Sequence, residues 1–243
     1  MRISRIYTEQ PLKQESQIKL DGQQAHYLSK VLRLKANAEL ILFNGDGNEY
    51  KSLITQIDKH SITLEIQNAS LANSESPLHS ILGLGLSRGE RMDIAIQKST
   101  ELGVTEIVPL FTEFSEVKLQ GERLQKKLLH WQQIAISACE QSGRNQPPKV
   151  HSPLTFSNWC SALDCELKII FEPGADQTLP REKKIAQVAL LVGPEGGFSK
   201  QELDIAANNG FNAVGLGPRI LRTETAPIAA LTSLQLLWGD FSI

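Results

Sequence analysis

The chain has 243 residues, of which 41% are hydrophobic and 21% charged, with a formal net charge of -2. That length can bury a sizeable core as one large domain or as a small domain joined to a medium one. The composition is ordinary for a globular protein, no apolar run approaches the roughly 18 residues a membrane span needs, and the near-neutral charge excludes a surface coated in positive potential.

In chain order, "MRISRIYTEQPLKQ" carries early arginines but no apolar core and no small-residue cleavage site, so it does not read as a secretory signal. A cytoplasmic protein is the expectation. The first 35 residues hold seven basic groups against three acidic ones. Any contact with a polyanion must therefore be local, and an ordinary solvated surface explains the same imbalance. From Ile18 to Ile66 short alternating runs around "NGDGN" predict antiparallel hairpins, hence a small β-barrel. One helix is expected within it, "GQQAHYLSKVLRL", with Ala25, Leu28, Val31 and Leu32 on one face and Asp21 as its cap. The polar segment "QNASLANSESP" marks a linker, which predicts a first domain over 1–72 and a second over 73–243.

Beyond the linker, strands alternate with helices, the rhythm of an α/β fold with mostly parallel strands. Strands are expected at 81–86, 105–111, 167–171, 187–193 and 211–216. Helices are expected at 89–103, about 122–142, 155–163, from Ser199 and from about Thr225. The long helix places Leu124, Leu128, Trp131, Ala135, Ala138 and Cys139 at helical spacing. Cys139, Cys160 and Cys165 form no CxxC pair, and the histidines form no HExxH spacing, so no metal is expected and the thiols read as reduced and mostly buried.

Two stretches share one grammar of strand, glycine-containing loop and helix. In "LLVGPEGGFSKQE" Pro194 halts the strand, Gly196 and Gly197 let the backbone pass close to a ligand or another segment, and Ser199 with Glu202 spells a capping box. In "LGPRILRTETA" a semi-apolar loop intervenes where a plain turn and cap would suffice. Loops at the carboxyl ends of parallel strands are where open α/β sheets bind ligands, although a tight structural turn explains the same residues. Walker and dinucleotide spacings are absent. Together with the exit "FEPG" (171–174), these loops could enclose a flat, mostly apolar molecule.

Those two segments, with "MRISRIY", "HYLSKVLRL", "SRGERMDIAIQKSTELGV" and "IAISACEQSGR", resemble the RsmE-type 16S rRNA uridine-N3 methyltransferases of the SPOUT superfamily. The resemblance covers nearly the whole chain. It implies a PUA-like RNA-binding barrel over 1–72, a SPOUT α/β domain over 73–243 with a trefoil knot at about 187–243, S-adenosylmethionine as cofactor, a homodimer, and small-subunit rRNA as partner. The cofactor residues it implies are Leu191, Gly193, Glu195, Gly196, Gly197, Leu216, Gly217, Ile220, Leu221, Arg222, Thr223 and Ala226. Arg222 is expected to face the uracil, ahead of Arg219, with Glu224 orienting Arg222 or accepting the imide proton. Arg2, Arg5, His26, Arg33, Arg91, Lys98 and Arg144 are the RNA-binding candidates; Glu140 and Gln141, with Arg144, resemble family motif positions, and Glu101 could line the RNA side with Arg91 and Lys98. For Lys98 a surface ion pair with Glu101 stays equally open, and for Arg144 a helix-terminal charge. Methylation of another RNA, on tRNA or a ribose hydroxyl, and a non-catalytic ribosome-assembly role are the alternatives.

Overall fold

The computed structural model describes residues 3–72, 74–115, 117, 119–180 and 184–242. They divide into two compact units, Met1–Glu75 with Cys139–Gln146, and Ser76–Ala138 with Pro147–Ile243.

The first unit is built on a five-stranded sheet in the order β1-β3-β4-β5-β2 among the described residues, from β1 (Ser4–Tyr7), β2 (Ser16–Asp21), β3 (Glu39–Phe43), β4 (Asn48–Ile57) and β5 (Ser61–Leu71). Only the β1–β3 pair among these is parallel. Period-two patterning sets the faces: Ile18, Leu20, Leu40, Leu42, Ile54, Ile62, Leu64 and Ile66 are all buried in one cluster. The β3–β4 turn is fixed by Gly45 and Gly47, both at φ +91°, and by Asp46, whose carboxylate accepts from the Asn48 amide at 2.8 Å and the Tyr50 hydroxyl at 2.6 Å.

The expected helix is here shorter and of mixed type. α1 (Gly22–His26) passes into a π-helical turn over Tyr27–Val31, marked by the Leu32 amide donating to the Tyr27 carbonyl at 2.9 Å. An i→i+5 turn rotates each residue through a smaller angle than an α-helix. Ala25 and Leu28 therefore stay buried while Val31 swings out to 59% exposure. Asp21 occupies the N-cap without making a side-chain cap bond.

The second unit carries a parallel sheet in the order β12-β10-β11-β6-β7-β8, with β9 also pairing β7. Its strands are β6 (His79–Gly85), β7 (Glu106–Phe111), β8 (Lys149–Val150), β9 (Leu154–Thr155), β10 (Leu167–Phe171), β11 (Gln187–Val192) and β12 (Asn212–Val214). Alternate residues feed two cores, which is why these strands read as nearly continuous apolar runs. Leu82, Leu84, Ile107, Val188, Leu190 and Val192 share a cluster with Met92, Ile96, Trp131, Leu231 and Leu234 of α2 (Glu90–Glu101), α3 (Gly121–Ser142) and α6 (Thr225–Trp238). Ile81, Val108, Leu110, Ala189 and Leu191 share another with Phe156, Trp159 and Ala206 of α4 (Phe156–Ala162) and α5 (Lys200–Asn208). Gly83 makes room for Trp159, since a Cβ there would lie 2.7 Å from the indole.

The sequence reading placed residues 139–146 in the second domain. In the structure the last turn of α3 and the loop after it group with the first unit, because their polar atoms are satisfied there. Glu140 accepts from the Tyr7 amide at 3.0 Å, and Glu75 accepts from the amides of Asn145 and Gln146 at 2.9 and 3.1 Å.

Candidate functional site

β12, β10 and β11 are neighbours in the sheet, so their three carboxyl-end exits converge. After β11 the Gly197 amide donates to the Pro194 carbonyl at 2.9 Å, closing a turn that Gly197 permits with φ +69°. The capping box forms as expected: Ser199 Oγ accepts from the Glu202 amide, and the Glu202 carboxylate accepts from the Ser199 amide at 2.9 Å. Its other oxygen accepts from the Glu113 amide at 2.9 Å, tying the exit of β7 to the start of α5. After β12, Gly215 passes so close to the Ala175 carbonyl that a Cβ would lie 2.5 Å away. The chain then runs through an exposed loop to α6, whose first turn opens with the amides of Thr225 and Ala226 donating to the Arg222 carbonyl at 2.8 and 2.9 Å.

Between the exits lies a cavity of about 480 Å³. Apolar walls come from Phe171, Leu216, Ile220, Leu221 and Ala226, and polar groups from Glu172, Arg91, Arg222 and Glu224. Burial pushes the Glu172 carboxyl above its ordinary value. For Glu195 burial also pushes upward, but hydrogen bonds outweigh it. They come from its own amide, from Arg91 Nη1 at 2.6 Å and from the Arg88 amide at 3.2 Å, and they hold the carboxyl below its usual range. The same pairing raises Arg91 further above its ordinary value. Glu224 sits at the N-cap of α6, and its Oε2 is buried without a hydrogen-bond partner among the described residues. Cys139 and Cys160 lie elsewhere, with burial pushing both thiols up to about 12, so they stay protonated and unreactive.

Ten of the twelve expected cofactor residues line this cavity: Gly193, Glu195, Gly197, Leu216, Gly217, Ile220, Leu221, Arg222, Thr223 and Ala226. Leu191 does not; it is fully buried in the core beneath β11, one residue off the face that opens to the cavity. Gly196 lines a second, open groove of about 1150 Å³ that shares Arg91, Glu195 and Glu224 with the first. Arg222 is 83% exposed, with Nη1 4.0 Å from Glu224 Oε1. Arg91, expected on the RNA side, is brought to the wall between the two spaces.

Other candidates have partners within the chain. Arg5 is half-buried, paired with Glu49, hydrogen-bonded to Asn145 Oδ1 and stacked over Phe43 at 5.3 Å. Arg144, 5% exposed, clasps Glu75 through Nε at 3.0 Å and Nη2 at 2.7 Å. Lys98 bonds Glu101 at 2.8 and 3.1 Å and lines neither space among the described residues. His26 and Arg33 are exposed, and Arg2 lies outside the described residues. Phe171 and Glu172 belong to the "FEPG" exit singled out in the sequence; sequence reasoning missed Phe114 in the groove. The signal was available: "FTEF" is the exit of a parallel strand, like the loops already singled out.

The RNA methyltransferase domain family matches residues 74–235, and the RNA methyltransferase PUA domain family matches 20–67. The chain belongs to the RNA methyltransferase family. Within that family it is 43% identical over 243 residues to the ribosomal RNA small subunit methyltransferase E of Buchnera aphidicola subsp. Schizaphis graminum, covering 99% of each chain. A Legionella pneumophila structure solved with the bound cofactor SAM superposes with a TM-score of 0.95 at 39% identity, covering 99% of this chain and 100% of that one. The ribosomal RNA small subunit methyltransferase E of Neisseria gonorrhoeae, bound to S-adenosyl methionine, gives 0.93 at 39% identity with the same coverage. The RNA methyltransferase fold of the second unit thus ends its strands in the loops that enclose the cavity.

Proposed function

We propose that the chain methylates N3 of a uridine in small-subunit ribosomal RNA, with S-adenosylmethionine as donor in the 480 Å³ cavity. The observation that carries the reading is the convergence of three strand exits on one mostly apolar space next to an exposed arginine and a carboxylate oxygen without a partner among the described residues. The residues fit the cofactor. The volume lies within the range of small-molecule sites, the apolar walls suit an adenine ring, and Glu172 offers acceptors for hydroxyl or ammonium groups.

S-adenosylmethionine supplies an electrophilic sulfonium methyl when bound. The chain's own work is to hold the acceptor and manage one proton. A neutral imide is a poor nucleophile, and its anion carries charge onto the two flanking carbonyl oxygens. The Arg222 guanidinium stabilises that charge as it develops. Glu224 Oε2, which has no other partner among the described residues, accepts the N3 proton or holds Arg222 for its role. His26 and Arg33, exposed on the first unit, position rRNA through phosphates without reading sequence. A cytoplasmic homodimer with the last elements threaded as a trefoil knot completes the proposal.

The test is methyl transfer from labelled cofactor to small ribosomal subunits or their naked rRNA, with nucleosides resolved by mass spectrometry. The expected product is 3-methyluridine. A methylated ribose, a methylated tRNA in place of rRNA, or no product would refute the assignment.

A further inference from the structure

The second groove has an aromatic feature that the reading above leaves without a role. Phe114 is 46% exposed, yet the residues around it are held tightly. The Glu113 amide donates to Glu202, the Ser115 amide closes a turn onto the Thr112 carbonyl at 3.1 Å, and Ser115 Oγ donates to the Leu86 carbonyl. On one side the ring rests on the ligand loop itself: a Cβ at Gly196 would lie 2.7 Å from Phe114 Cβ. A large apolar ring is thus held out toward solvent on a hydrogen-bonded support, although burying it would stabilise the fold.

The surroundings select what can lie on it. Among the described lining residues, carboxylates (Glu90, Glu113, Glu195, Glu224) outnumber the guanidiniums of Arg88 and Arg91, so the groove repels phosphate and suits a neutral, planar group. Ile94, 39% exposed, adds a second apolar surface. Glu224 lines both spaces, and its Oε2, buried as the chain stands, has no partner among the described residues. An aromatic platform ending in a hydrogen-bond acceptor matches the face and the imide N–H of uracil. A base within a duplex presents neither.

Building on the proposed function, we propose that the groove receives a uracil extruded from an unpaired stretch of RNA, and that Phe114 is the positioning residue on which it stacks. The phosphates of that nucleotide remain outside the groove. Phe114 therefore acts on substrate affinity and leaves cofactor binding alone.

The experiment uses the full chain saturated with S-adenosylmethionine and a short single-stranded oligoribonucleotide with one uridine, read by fluorescence anisotropy. A second oligonucleotide carries an abasic site in place of the uridine. Phe114→Ala is expected to weaken binding of the uridine oligonucleotide about tenfold, within the range of one base–aromatic stack, and to bind the abasic one as the wild type does. Phe114→Trp restores affinity and Phe114→Leu does not. Calorimetric affinity for the cofactor and the melting temperature stay at wild-type values. The inference is overturned if Phe114→Ala binds the uridine oligonucleotide normally, if it loses affinity equally for both oligonucleotides, or if leucine restores binding. Should the alanine variant fail to fold, the leucine and tryptophan variants decide: weak and tight binding respectively supports stacking, equal binding rejects it. A wild type that methylates uridine while Phe114→Ala binds normally rejects the stack alone. Tight, Phe114-dependent binding without any methyl transfer rejects the assigned reaction alone.

Discussion

The two units set their arginines in opposite environments. In the first, the Arg5 and Arg144 side chains are only 9% and 7% exposed, each matched to a carboxylate far away in sequence: Glu49 for Arg5, and Glu75 for Arg144. In the second, Arg91 and Arg222 stand beside a cavity, 48% and 83% exposed at the side chain, and share the space with Glu195 and Glu224. The same residue type acts as an internal fastener in one unit and faces a ligand space in the other. What separates them is desolvation: a guanidinium stripped of water needs a counter-charge, whereas one left in water keeps capacity for a transient anionic partner.

The largest expected effect breaks the fastener. Arg144→Ala leaves the partly buried Glu75 without its main counter-charge and is expected to cost about 3 kcal/mol of stability. Urea denaturation measures that loss; the cofactor affinity of the folded fraction should not change. Arg222→Ala tests the opposite side of the comparison. Its exposure predicts a stability change within about 0.5 kcal/mol, while kcat falls about 100-fold with little change in cofactor affinity. A comparable stability loss in both variants would erase the distinction.

Smaller changes sharpen it. Gly217 adopts φ +90° in the cavity wall with open space where a Cβ would stand. Gly217→Ala is therefore strained by its backbone alone and should lose about 1 kcal/mol, with cofactor binding about fivefold weaker by calorimetry. In the first unit, Glu140 has its carboxyl raised by burial, partly offset by the hydrogen bond from the Tyr7 amide. A raised folded pKa means that the folded protein holds its proton longer than the unfolded chain. That contribution is full below the unfolded pKa and is lost as pH rises through the folded value. Glu140→Gln keeps an oxygen to accept from Tyr7 and removes the titration. The stability difference between the variant and the wild type, read from urea midpoints, should therefore shift in the variant's favour as pH rises above the ordinary carboxylate range.

Local chemistry was legible in the sequence and distant pairing was not. Ser199 and Glu202 announce their capping box because both bonds close within three residues. The nearly continuous apolar runs of β6 and β11 likewise report a sheet buried on two faces. Val31 was misplaced because the change from α- to π-helical turn leaves no periodic trace in so short a segment. β8 and β9, two residues each, are too short to show any period. Arg5 and Arg144 looked like surface cations because the carboxylates that neutralise them come together only on folding. The cavity followed from strand exits recognisable one at a time; the groove required knowing that the exit of β7 lies against the loop after β11, through Phe114 and Gly196.

The central claim is that glycine-bearing turns at the ends of β10, β11 and β12 jointly hold S-adenosylmethionine. A crystal structure of the protein soaked with that compound tests it most directly. The account predicts density between Gly193–Gly197 and Leu216–Ala226, with the sulfonium methyl directed toward the wall shared by Arg91, Glu195 and Glu224. Density lodged elsewhere, with those turns vacant, would contradict it.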